Sequence, residues 1–109
     1  MAYYDNRVLL SNTAVDDGTW IEATQFNVPL SITLEGFNAG DIAQVRVSNA
    51  LGLTPPANTA HEIQYGTDIT AVGKVEVTAP FRWVKVRKSA AGGTPATTVA
   101  KLHAQIVHG

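Results

Sequence analysis

Three histidines and one acidic doublet are the residues whose types could support metal or acid–base chemistry: His61, His103, His108 and Asp16–Asp17. A protein zinc site gathers His, Cys, Asp or Glu ligands, often at short local spacings such as HxH or HExxH. None of these histidines has such a partner nearby in sequence. His61 precedes Glu62, and a His–Glu–His set completed by His103 from a neighbouring strand is conceivable; isolated surface histidines account for the same residues. The "DDG" at 16–18 offers two carboxylates to calcium. The regularly spaced oxygen ligands of a dedicated calcium loop do not accompany it, and a turn leading into the next strand is the simpler reading. The chain has no cysteine, no G-x-S-x-G elbow and no phosphate-cradling glycine loop. The expectation is a protein that is not an enzyme and uses no metal or cofactor.

A second constellation is "APFRWVKVRKS", residues 79–89, with an aromatic pair, two valines and four cations. On a strand, successive side chains point to opposite faces. Phe81, Trp83, Lys85 and Arg87 then share one face, and Arg82, Val84, Val86 and Lys88 the other. If the valines point inward, a tryptophan is displayed among cations. Such a face could stack nucleic-acid bases or sugars, or contact another protein. Alternatively, the aromatics enter the core near one end and the long cations reach outward past it. Nucleic acid is disfavoured by the slightly acidic chain, net charge −1, and by the lack of an RNP-like signature. The expected partner interface is Arg82, Trp83, Lys85, Arg87 and Lys88.

The elements that must position these residues are strands. Short alternating runs, bounded by Gly, Pro, Asn and Asp, recur along the chain, and no helical period of useful length appears. The candidates are 7–11, 20–23, 29–37, 41–49, 61–66, 74–78, 81–89 and 98–107. The cleanest is "PLSITLEGF", where Leu30, Ile32 and Leu34 alternate with Ser31, Thr33 and Glu35. "DIAQVRVSN" returns with Ala43, Val45 and Val47 inward, and the intervening "NAG" predicts an antiparallel hairpin. "AAGGTPAT" (90–97) predicts a second, glycine-rich hairpin tip. The prolines of "ALGLTPPANTA" (50–60) predict a long surface loop, and Pro80 a bend. Seven or eight strands at this spacing predict an all-β, antiparallel β-sandwich, jelly-roll or Ig-like, in a single domain over 1–109. Residues 1–10 are a possible N-terminal arm.

Composition agrees: 45% of the residues are hydrophobic and 16% charged, a globular balance. No apolar run approaches a membrane span, and "MAYYDNRVLL" lacks the features of a secretory signal. Charge is unevenly distributed. All nine acids lie in 1–76 against Arg7, Arg46 and Lys74, whereas 77–109 holds five cations and no acid. Opposite signs in two parts of one small domain suit contact between copies, or docking on an acidic neighbour. Folding that intermixes the two sets is the alternative.

Taken in order, "SITLEGFNAGDIAQVRVSNA", "GKVEVTAPFRWVKVRKS" and "TTVAKLHAQI" resemble a recurrent pattern in small virion structural proteins of tailed bacteriophages, over about residues 29–107. The "PFRWVKV" strand also resembles one found in carbohydrate-binding jelly rolls. The phage resemblance implies a β-sandwich that decorates or cements a capsid, or attaches to a tail or neck, through contact area. It implies a homo-oligomer, most plausibly a trimer, placed in the virion against the major capsid protein or other virion proteins, with no membrane. The chain departs from larger decoration proteins in lacking a long N-terminal arm. The other reading is a carbohydrate-binding module that stacks sugars on Trp83, Phe81 and Tyr65.

Overall fold

The structure, a computed structural model, describes residues 3–50 and 62–106, with side chains from Asn6 onward. It is all-β. Eight strands run in chain order: β1 (Tyr3–Asn12), β2 (Ile21–Glu22), β3 (Leu30–Glu35), β4 (Ile42–Ser48), β5 (Glu62–Gln64), β6 (Gly73–Val77), β7 (Trp83–Ala90) and β8 (Thr98–Ile106). A single turn of 3-10 helix, Ala23–Gln25, follows β2. Each strand overlaps one of the candidate runs in the sequence, although β1 begins four residues before the expected 7–11.

The strands form two four-stranded antiparallel sheets, in the orders β1-β8-β3-β6 (the first sheet) and β2-β7-β4-β5 (the second). The pairs β1:β8, β2:β7, β3:β6 and β4:β5 are nested, as though one long antiparallel ribbon had been rolled into a barrel-like sandwich. This ordering is the jelly roll, and it decides between the two sandwich topologies the sequence left open.

It also corrects two local expectations. The segment 29–49 is not a hairpin, because β3 lies in the first sheet and β4 in the second. Nor is 90–97 a hairpin tip, since it carries the chain from β7 across to β8. Alternation with a glycine turn fits either geometry: in a hairpin the apolar side chains lie side by side, and here they face each other across the core. The corner at 36–41 is set by Gly36 (φ +82°), where an added Cβ would lie 1.9 Å from the Thr97 carbonyl oxygen. Only glycine fits both that backbone and that approach.

Residues 3–10 are not a free arm either. Strand β1 pairs with β8 from Tyr3 to Asn12. The register shifts between Val8 and Leu10, so Leu9 is a bulged residue. The bulge lets both Leu9 and Leu10 turn inward, which strict alternation forbids. The predicted 50–60 loop lies outside the described residues beyond Ala50.

The core sits between the sheets. Leu30, Ile32, Leu34, Leu102 and Ala100 from the first sheet meet Val45, Val47, Val84 and Val86 from the second. Each such valine, leucine or isoleucine contributes about 1.5–3 kcal/mol on burial.

Candidate functional site

The alternation of β7 settles the orientation of the 81–88 stretch. Val84 and Val86 are fully buried in the core, so Trp83, Lys85 and Arg87 lie on the outer face of the second sheet. Cross-strand register then places Lys85 beside Arg46, Arg87 beside Gln44, and Trp83 between Ser48 and Glu22. Gln64 of β5 continues the Arg46 row.

These residues form a continuous polar network. The Lys85 ammonium meets Glu62 at 3.0 Å and Asp17 at 3.2 Å, and lies 4.5 Å from the centre of the Trp20 ring, within cation–π range. Arg46 pairs with the same Glu62 at 3.0 Å and donates to Gln44 Oε1. Gln44 and Gln64 both donate to Asp68 Oδ1, which holds its carboxyl below the usual range, the Gln64 bond being the stronger cause. Arg87 Nε approaches Asp17 at 3.5 Å. Although it sits on the sheet's outer face, Lys85 is only 2% exposed and Trp83 only 3%. The indole N–H of Trp83 donates to the Ala50 carbonyl.

Lys88 has the same parity as Val84 and Val86, and it points into the sandwich with no exposure at all. Its ammonium donates to the carbonyls of Thr13 (2.8 Å), Ala96 (2.8 Å) and Asn12 (3.4 Å). The Asp41 carboxylate lies 3.7 Å away. Asp41 accepts from the backbone N–H groups of Asn38, Gly92 and Ala96. These three bonds, with the nearby Lys88 charge adding less, lower its pKa to about 2. Charge-assisted bonds of this kind favour the ionised form. Together the two side chains tie the β1–β2, β3–β4 and β7–β8 links at one end of the sandwich.

This placement corrects the interface expected from sequence. Trp83, Lys85 and Lys88 are buried and do not offer a displayed surface; Arg82 and Arg87 are half-buried. The physical reason is the folding of acids from the first part of the chain onto β7: Asp17 from one link, Glu62 from β5 and Asp41 from another. The β7 share of the charge segregation along the sequence is thus neutralised inside the domain. A base- or sugar-stacking platform on Trp83 loses its exposed ring by the same fact. Phe81 packs edge-on against Tyr65, with ring centres 5.7 Å apart, and the Tyr65 hydroxyl is engaged with Thr78.

Of the chemistry-bearing residues, His61 and His108 lie outside the described residues. His103 is exposed on the outer face of the first sheet, its Nδ1 hydrogen-bonded to Asn6 Oδ1. Asp16 accepts from Asn12 and from the Gly18 N–H, which lowers its pKa in that order of cause; it builds a turn, as the simpler reading of "DDG" had it. Among the described residues, no group of three or more His, Asp or Glu is arranged to hold a metal ion.

The outer face of the first sheet is different in kind. Its rows, read from β1 to β6, are Asn6–His103–Ser31–Glu76, then Val8–Lys101–Thr33–Lys74, then Ser11–Val99–Glu35. Val8 is 57% exposed, and Val72, at the mouth of β6, 74%. Two shallow hollows, of about 540 and 420 Å³, flank the Lys101 side chain and share Thr33 as a wall.

No protein family matches the sequence, and no curated protein sequence matches it. Among solved structures, the chain is similar in fold to the SPBc2 prophage-derived protein YomS, with a TM-score of 0.54 and 10% sequence identity, over 94% of this chain and 95% of that one. At that identity the likeness is one of fold: both chains share the same sandwich from end to end.

Proposed function

We propose that the protein is a non-enzymatic virion structural subunit of a tailed phage or prophage, a decoration or cement protein that stabilises a capsid by protein–protein contact. The observation that carries this reading is the end-to-end likeness in fold to a prophage-derived protein. It stands beside the resemblance of residues 29–107 to small phage virion proteins. The two sheet faces support it. The second sheet's polar groups are largely engaged with one another, whereas the first sheet offers valines, hydroxyls and two lysines to a neighbour. In this reading the subunit works as a homo-oligomer docked on the major capsid protein, and it resides in the virion.

Co-sedimentation tests the proposal. Purified protein mixed with heads that lack it should pellet with them at a fixed stoichiometry and raise their resistance to heat. Heads that leave the protein in the supernatant, at any salt concentration, would refute the decoration role. Binding to tails or necks instead would move the subunit elsewhere in the particle.

A further inference from the structure

We propose that the outer face of the first sheet is the contact between two copies of this chain, related by a two-fold axis, with Lys101 of each copy paired to Glu35 of the other. The proposal deepens the oligomeric reading above and rests on it only for its biological setting.

Two charges on this face stand apart from the rest. Every other charged side chain that the structure describes has an ion pair, a hydrogen bond or a ring contact. Lys101 and Glu35 have none, and both are exposed. They are also neighbours on one face. Lys101 stands opposite Thr33, and Glu35 lies two residues further along the same strand β3, a diagonal separation of roughly 7 Å between Cβ atoms.

A two-fold axis lying in the interface and bisecting that diagonal brings each lysine over the partner's glutamate. One symmetry operation makes both contacts, which is the hallmark of an isologous interface. A trimer would instead need two different patches, and here both unmatched charges lie on one.

The surroundings suit such a pairing. Val8, Val72 and Val99 lie around the charged diagonal, and the hollows on either side of Lys101 can receive apolar side chains from a facing copy. Strands about 4.8 Å apart, rising about 3.3 Å per residue, give this face roughly 19 by 25 Å, or roughly 500 Å² in projection per copy. That area is typical of a reversible interface. A weak, reversible association is the expectation for a contact of this size.

Sedimentation equilibrium of the full chain tests the pairing directly. The wild type should show a monomer–dimer equilibrium at micromolar concentrations. Lys101→Glu and Glu35→Lys should each weaken it roughly 10- to 50-fold, because both symmetric contacts become repulsive. An equimolar mixture of the two variants should recover the dimer, since each contact is then again between opposite charges. Far-UV circular dichroism on both variants confirms that they are folded. A wild type that stays monomeric, or variants that dimerise as well as the wild type, would overturn the proposal. So would a mixture that fails to recover the dimer. Binding of a monomeric wild type to heads would leave the decoration role standing while this interface fell.

Discussion

Replacing Lys88 with methionine isolates the strongest local claim about this fold. Methionine keeps an unbranched chain of similar length and removes the ammonium. The carbonyls of Thr13 and Ala96, each accepting at 2.8 Å, then lose their donor, and the longer bond from Asn12 is lost as well. A hydrogen bond from a charged donor is worth about 1.5–3 kcal/mol, and the two short ones set the scale. Breaking a buried ion pair by removing one partner costs about 3–5 kcal/mol. The two routes agree on a loss of about 4 kcal/mol for Lys88→Met. With a urea m value of about 1.5 kcal/mol/M for a domain of this size, the unfolding midpoint should fall by about 2–3 M. A loss below about 1 kcal/mol would mean that the ammonium reaches water and does not tie the three links together.

Three further outcomes follow from the same geometry. Gly36→Ala should cost about 2 kcal/mol or more in urea unfolding, because its φ is positive and its new Cβ would meet the Thr97 carbonyl; Gly93→Ala, which meets nothing within 4 Å, should be close to neutral. Asp41 has a folded pKa of about 2 against an ordinary 3.8. Its stabilising contribution is therefore complete above about pH 4 and lost as the pH falls towards 2, and Asp16 and Asp68 act in the same direction. Unfolding midpoints measured against pH should drop across that window, and less steeply in Asp41→Asn; a flat wild-type profile would contradict this assignment. Trp83→Ala should cost about 3 kcal/mol, as for other buried aromatics, and an unchanged midpoint would show that the indole is not packed.

The sequence made the strands legible because alternation is a local property. Leu30, Ile32 and Leu34, or Ala43, Val45 and Val47, declare a buried side without reference to any partner. Which sheet each strand joins is not local. The turn at 38–40 fits a hairpin or a crossing equally well, and only the pairing of β3 with β8 and β6 chooses between them. The bulge at Leu9 likewise appears only against β8.

The β7 cations illustrate the same limit. Lys88 shares its parity with Val84 and Val86, but the sequence leaves open which side of the strand faces inward, and it points to a partner interface for Lys88, which is instead fully buried. Its anchors at Thr13, Asp41 and Ala96 lie up to 75 residues away, and nothing near Lys88 announces them. Lys85 reads as a surface lysine until Glu62 and Asp17 are brought over it. The unmatched pair on the first sheet was hidden for the complementary reason. Glu35 and Lys101 are ordinary exposed residues in sequence, and they stand out only once every other charged side chain that the structure describes has found a partner.

A decoration role requires that this jelly roll be part of a particle. Quantitative mass spectrometry of purified particles from the strain that encodes the chain measures this most directly. A decoration subunit should be present in many copies per particle, in a fixed ratio to the major capsid protein. Particles that carry their full set of capsid proteins and none of this chain would contradict it.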